Sequence, residues 1–260
     1  MVLLVRRSRV WVLVWQRQHV DPVRAASDIT SELSIHTDEV RARKQKEYLK
    51  SDLDHLGASV PEVRAVVRRF LRHHPGLGHG ELVALARAMW ADDIYEHRLA
   101  AVELLAARPQ VLGPTDMATL ESMLRQAHTW ALVDPISISL VGRIVAGDQA
   151  SAQGMDRWVA DDDFWVRRAA LLALLVPLRE GRGDFERFGR YADALLDERE
   201  FFIAKAIGWV LRDTARRRPD MVFEWLEPRV ARASGVTVRE AVKYMSDAQR
   251  DEINSARTGG

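Results

Sequence analysis

The 260-residue chain contains no cysteine. That excludes disulfides, thiolate metal sites, a cysteine nucleophile and a cysteine-held iron–sulfur cluster. Lysine is almost as scarce, confined to Lys44, Lys46, Lys50, Lys205 and Lys243, so nearly all positive charge is arginine. Excess charge of one sign is lacking as well. The formal net charge is +1, which excludes a uniformly basic polyanion binder. The first fifteen residues hold two apolar runs, but arginines interrupt them and neither is long enough to span a bilayer. They also make a poor signal peptide, because the apolar core is short and no small-residue cleavage site follows. Runs that alternate apolar and polar residues, as a half-buried strand would, are not evident.

What remains is the composition of a folded helical protein, 47% hydrophobic and 29% charged. Charge is uneven along the chain. Residues 1–77 carry 14 basic and 9 acidic side chains, residues 78–163 carry 6 and 13, and residues 164–260 carry 18 and 15. A polyanion-binding surface would therefore be local, built by the two ends of the chain. Helical periodicity runs almost throughout, from about residue 24 to 247. Pro61, Pro135 and Pro219 suit first helical turns, and Thr115, Asp116 and Asp163 suit starts. Residues 1–21 are expected to be an extension outside the domain, or else a strand or helix on its edge. Residues 22–250 should form the domain and 251–260 a frayed tail. Gly181 and Gly183 mark a helix connector. His73, His74 and His79 lack a metal-binding spacing, and no metal or cofactor is expected.

A repeat underlies the helices. The segment around Arg98 aligns with those around Arg168 and Lys205, and Asp134 falls at the same place in a fourth copy. Steps of roughly 34 to 37 residues are the signature of stacked helix pairs of the HEAT kind. The expected fold is all-α, a right-handed α-solenoid whose concave face carries Arg98, Asp134, Arg168 and Lys205 in a row, three cations around one carboxylate.

Residues 200–213 read as one amphipathic helix. Ile203, Ala206, Ile207, Val210 and Leu211 form an apolar stripe, while Lys205, Trp209 and Arg212 share another ridge. Two cations and an indole on one ridge suit a charged polymer with planar parts, such as nucleic acid. Upstream, Trp130 and Asp134 stand one helical turn apart. Because Pro135 follows, Asp134 is expected either to cap a helix or to sit at a kink. Trp165, between Phe164 and Val166, reads as core.

In this order and at these distances, Trp130 with Asp134, residues 164–170, and residues 201–226 (FFIAKAIGWVLRDTARRRPDMVFEWL) resemble the AlkD-type, HEAT-like-repeat DNA alkylation-repair glycosylases. The resemblance extends from about Tyr48 to about Met245. It implies a monofunctional hydrolase that releases cationic alkylpurines of the 3-methyladenine and 7-methylguanine type from duplex DNA, leaving an abasic site. It gives Asp134 the role of fixed anion, makes Trp130 and Trp209 aromatic faces for nucleotide and sugar, puts Arg168 on the backbone near the lesion, and makes Tyr48 a backbone or groove contact. Arg98, Lys205 and Arg212 join the DNA-binding set from the repeat register and the ridge. The implied protein is cytoplasmic, works as a monomer on double-stranded DNA with alkylated bases, and has no membrane partner. The alternative is a non-catalytic HEAT-repeat module that binds DNA or a protein through the same face.

Overall fold

The computed structural model describes residues 2–7, 10–15 and 20–258, with side chains described from residue 20 onward. The chain divides into two compact units, residues 1–111 and 112–260. Both consist of paired helices, so the all-α expectation holds for everything except the amino-terminal end. There, β1 (Val2–Arg7) and β2 (Val10–Trp15) pair antiparallel, in register from Val2 opposite Trp15 to Arg7 opposite Val10. The composition is β-branched and aromatic, which favours strands even without polar alternation.

The first unit holds α1 (Pro22–Ser34), α2 (Glu39–Leu49), α3 (Val60–His73), α4 (His79–Trp90) and α5 (Tyr95–Ala106). The helices α1, α3, α4 and α5 pack on one another around Ile29, Leu33, Val63, Val66, Leu82, Leu85 and Leu104. Ser59 and Glu62 close a capping box at the start of α3, with Pro61 in its first turn as expected. The chain turns at Gly57, whose φ is +86°. A Cβ there would stand 2.1 Å from the Asp38 carbonyl oxygen, so only glycine fits. Glu96 holds this loop from below by accepting the Leu56 and Gly57 amides at 2.9 and 2.8 Å.

The second unit holds α6 (Met117–Ala127), α7 (Trp130–Pro135), α8 (Gly142–Gly147), α9 (Gln149–Gly154), α10 (Phe164–Leu172), α11 (Leu175–Arg179), α12 (Phe185–Ala194), α13 (Phe201–Ala215), α14 (Pro219–Leu226), α15 (Gly235–Ala241) and α16 (Asp247–Thr258). One π-helical segment, Ile136–Val141, joins α7 to α8 without a break. The line of packing runs from α6 and α7 to α10, then α13, then α15. The apolar stripe of α13 is as expected: Ile203, Ala206, Ile207, Val210 and Leu211 are all buried. Each of its large aliphatic side chains contributes about 1.5–3 kcal/mol on burial. Gly208 faces α15, where a Cβ would meet Glu240 Cβ at 2.9 Å and Thr237 Cα at 3.1 Å. Its lack of a side chain lets the two helices cross closely.

The frayed tail is corrected. Residues 247–258 form α16, whose Ile253 is fully buried and whose Gln249 donates to Asp220 at 2.8 Å. The stretch Trp130–Gly147 is apolar and long enough to cross a membrane by composition alone, yet its Leu132, Val133, Ile136, Leu140 and Val141 are fully buried within the protein.

Candidate DNA-processing site

Thr129, not Asp134, caps the helix that carries the Trp130–Asp134 pair, its hydroxyl oxygen accepting from the Ala131 amide. Asp134 therefore lies in the second helical turn, and Pro135 sits inside the helix rather than opening it. A proline there removes a donor and crowds the preceding turn. The chain answers by widening into the π-helical segment directly after it, and Ser137 Oγ donates to the Val133 carbonyl at 2.6 Å. The cap reading of Asp134 is thereby replaced, while the disturbance expected at Pro135 takes the form of a π turn.

Asp134 points into the protein and meets Arg168 of α10. The guanidinium engages it with two parallel bonds, Nε to Oδ1 at 2.8 Å and Nη2 to Oδ2 at 2.9 Å. Arg168 Nη1 donates to the Phe202 carbonyl in the first turn of α13, and its Cζ lies 5.8 Å from the Phe202 ring centroid. Asp134 is 9% exposed and Arg168 3%. Burial pushes the Asp134 carboxyl above its usual range, against the downward pull of the Arg168 hydrogen bonds and charge. The direct phosphate contact expected of Arg168 needs correction, since its guanidinium is enclosed and committed to Asp134 and the α13 backbone. In this position it braces the carboxylate on both oxygens.

The ridge on α13 is present, and acids lace it together. Trp209 is half-buried and donates through Nε1 to Asp213 at 3.2 Å. Arg212 bridges Asp213 at 3.0 Å and Glu240 at 2.5 Å. Lys205 pairs with Glu240 at 2.7 Å, and Lys243 reaches the same carboxylate at 2.9 Å. Desolvation alone would raise the Glu240 pKa, but the hydrogen bonds from Lys205, Lys243 and Arg212 outweigh it and bring it down to about 2. Glu240 lies 35 residues beyond Lys205, one more step of the same repeat, and extending the period would have found it.

Arg98 and Tyr48 lie in the first unit. Arg98 is 4% exposed, donates to the Asp92 carbonyl at 3.0 Å, pairs with Asp93, and stands 5.2 Å over the Trp90 ring. It is an internal brace, which corrects its placement on an open DNA-binding wall. The register that aligned it with Lys205 fixes its place in a repeat but not its exposure. Tyr48, in the last turn of α2, is 74% exposed. Trp130 is half-buried, whereas Trp165 is core, 7% exposed and packed against Phe202 at 4.9 Å between ring centroids. His73 and His74 bond their own helix through Nδ1 to the Arg69 and Phe70 carbonyls, and the described residues contain no cluster able to hold a metal.

The second unit thus places a rigidly held carboxylate one turn from an indole, and a cation-rich ridge bearing a second indole two helices further on. Solved structures with the same architecture include a protein described as a predicted DNA alkylation repair enzyme from Enterococcus faecalis (24% identity, TM-score 0.73, covering 82% of this chain and 98% of that one). AlkD2 from Streptococcus mutans is similar at 15% identity and TM-score 0.60, covering 87% of this chain and 100% of that one. The smu.31 protein of Streptococcus mutans UA159 follows at 18% identity and TM-score 0.55, covering 80% and 98%. At these identities the likeness establishes the fold. No curated protein matches the chain. The family model for DNA alkylation repair enzymes matches residues 29–245, so the chain belongs to the DNA alkylation repair enzyme family.

Proposed function

We propose that the protein is a monofunctional DNA glycosylase that hydrolyses the N-glycosidic bond of cationic alkylpurines in duplex DNA. The observation that carries this reading is the buried Asp134 carboxylate, held on both oxygens by Arg168 and one helical turn from Trp130. Breaking C1′–N9 builds positive charge on the sugar. A base alkylated at N3 or N7 already carries positive charge and leaves as a neutral molecule with the bonding electrons, so no acid is needed to protonate it. A fixed anion beside the sugar favours the oxocarbenium-like transition state. A carboxylate oxygen that accepts one Arg168 bond retains capacity for another, enough to orient the water whose oxygen bonds C1′ as its proton passes to solvent. The half-buried faces of Trp130 and Trp209 suit a cationic base and its sugar. Exposed Tyr48 suits a backbone or groove contact. Lys205 and Arg212, partly exposed at the ridge, suit phosphates. The direct test is incubation of the purified protein with duplex DNA containing 7-methylguanine. Free base and an equal yield of abasic sites are expected, and intact strands after many hours would refute the reading.

A second reading, a non-catalytic DNA-binding or protein-binding repeat module, has one observation in its favour. Ion pairs separated by about one repeat also link Glu121 to Arg157, Arg179 to Asp213 and Arg232 to Asp197, and Asp134–Arg168 fits that series as a structural brace. Of these pairs, however, only Asp134–Arg168 has both side chains no more than 12% exposed. Binding without any base release would favour the module.

A further inference from the structure

The ridge on α13 continues past Arg212. Lys205, Trp209, Arg212 and Arg216 stand at steps of four, three and four residues, which keeps all four on one helical face. Arg216 caps α13 and keeps right-handed helical angles, φ −55° and ψ −31°. Its Cζ lies 4.4 Å from the ring centroid of Tyr244, which is 43% exposed. Lys205 and Arg212 give donors to Glu240. The Arg216 side chain makes no hydrogen bond or ion pair among the described residues. The Tyr244 ring fixes it in place while all five N–H donors stay open. The ridge that ends at Arg216 carries excess positive charge along its length, since Lys205, Arg212, Lys243 and Arg179 are answered by two carboxylates, Asp213 and Glu240.

We propose that Arg216, held on Tyr244, is a phosphate anchor for duplex DNA on the flank of the Trp209 ridge. This rests on the reading of that ridge as DNA-facing. A ring-supported guanidinium with free donors is preorganised for bidentate phosphate contact. The distance from Lys205 to Arg216 is roughly 16 Å at 1.5 Å per residue, room for about five base pairs of duplex at 3.4 Å each. The anchor therefore lies a few base pairs from the nucleotide at Trp209 and grips the backbone without reading sequence.

The test is binding to undamaged duplex DNA as a function of salt, so it stands whether or not bases are released. Arg216→Ala should lower the slope of log K against log salt by about 1. Tyr244→Ala should weaken binding, because Arg216 loses its support, while Tyr244→Phe restores the parental affinity by keeping the ring. Arg190→Ala, which removes an equal charge from α12, should leave the slope alone. A parental slope for Arg216→Ala, or an equal loss for Arg190→Ala, would overturn the proposal. So would a Tyr244→Phe variant as weak as Tyr244→Ala. Thermal melts of each variant separate these results from unfolding, since both side chains lie at the surface.

Discussion

Arg168 holds Asp134 edge-on across 34 residues of sequence, Nε at 2.8 Å from one oxygen and Nη2 at 2.9 Å from the other. The pair joins α7 to α10, and through the Phe202 carbonyl it joins both to α13. A single guanidinium therefore sets the carboxylate and ties together α7, α10 and α13.

Replacing Asp134 by asparagine should slow release of 7-methylguanine by roughly 10²–10³, the usual scale for losing one preorganised electrostatic group. Single-turnover excision measures it. The parental rate in this variant would make the carboxylate purely structural.

The same pair makes a stability prediction. Asp134→Ala leaves a buried guanidinium without its partner and should cost about 3–5 kcal/mol. Replacing both residues with apolar ones, Asp134→Leu with Arg168→Met, should cost less than Asp134→Ala alone. Denaturant melts of the single and double variants decide it.

Acid should affect the two carboxylates differently. The Asp134 pKa is raised by burial, so excision should fall on acidification at a higher pH than an ordinary aspartate would give. Asp134→Asn should show no such limb. Glu240 titrates near 2 in the folded protein against 4.5 in the unfolded chain, so its contribution to stability is present above pH 4.5 and lost as pH falls towards 2. Glu240→Gln should flatten the decline of stability in that window. It should also tighten binding to undamaged duplex at low salt, because Lys205, Arg212 and Lys243 lose their counter-charge.

Gly208→Ala should destabilise the α13–α15 crossing by about 1–3 kcal/mol, since its Cβ would press on the Thr237 backbone and Glu240 Cβ. It should also weaken DNA binding by moving the ridge against Glu240. An unchanged melt would show that α15 can yield at no cost.

Local order was written in the sequence. The stripe of α13, the starts at Pro61, Asp163 and Pro219, and the turn glycines Gly181 and Gly183 all follow from periodicity and backbone sterics, which act within a few residues. The repeat period placed Asp134, Arg168 and Lys205 at equivalent points, but Glu240, one step further on, emerged only from the structure. Composition could not reveal whether Arg98 and Arg168 face solvent. A cation at an equivalent repeat position is exposed or enclosed according to what packs against it, here Asp93 of the preceding connector for one and Asp134 of a neighbouring helix for the other. Tertiary packing also decided that Pro135 would widen the helix instead of starting it, and that residues 247–258 would dock as a helix through Ile253. The sequence determined which faces are apolar and how often they recur, because those are short-range properties of the chain. The partners of Asp134 and Lys205 lie a full repeat or so away, and only packing of one repeat on the next brings each pair within hydrogen-bonding distance.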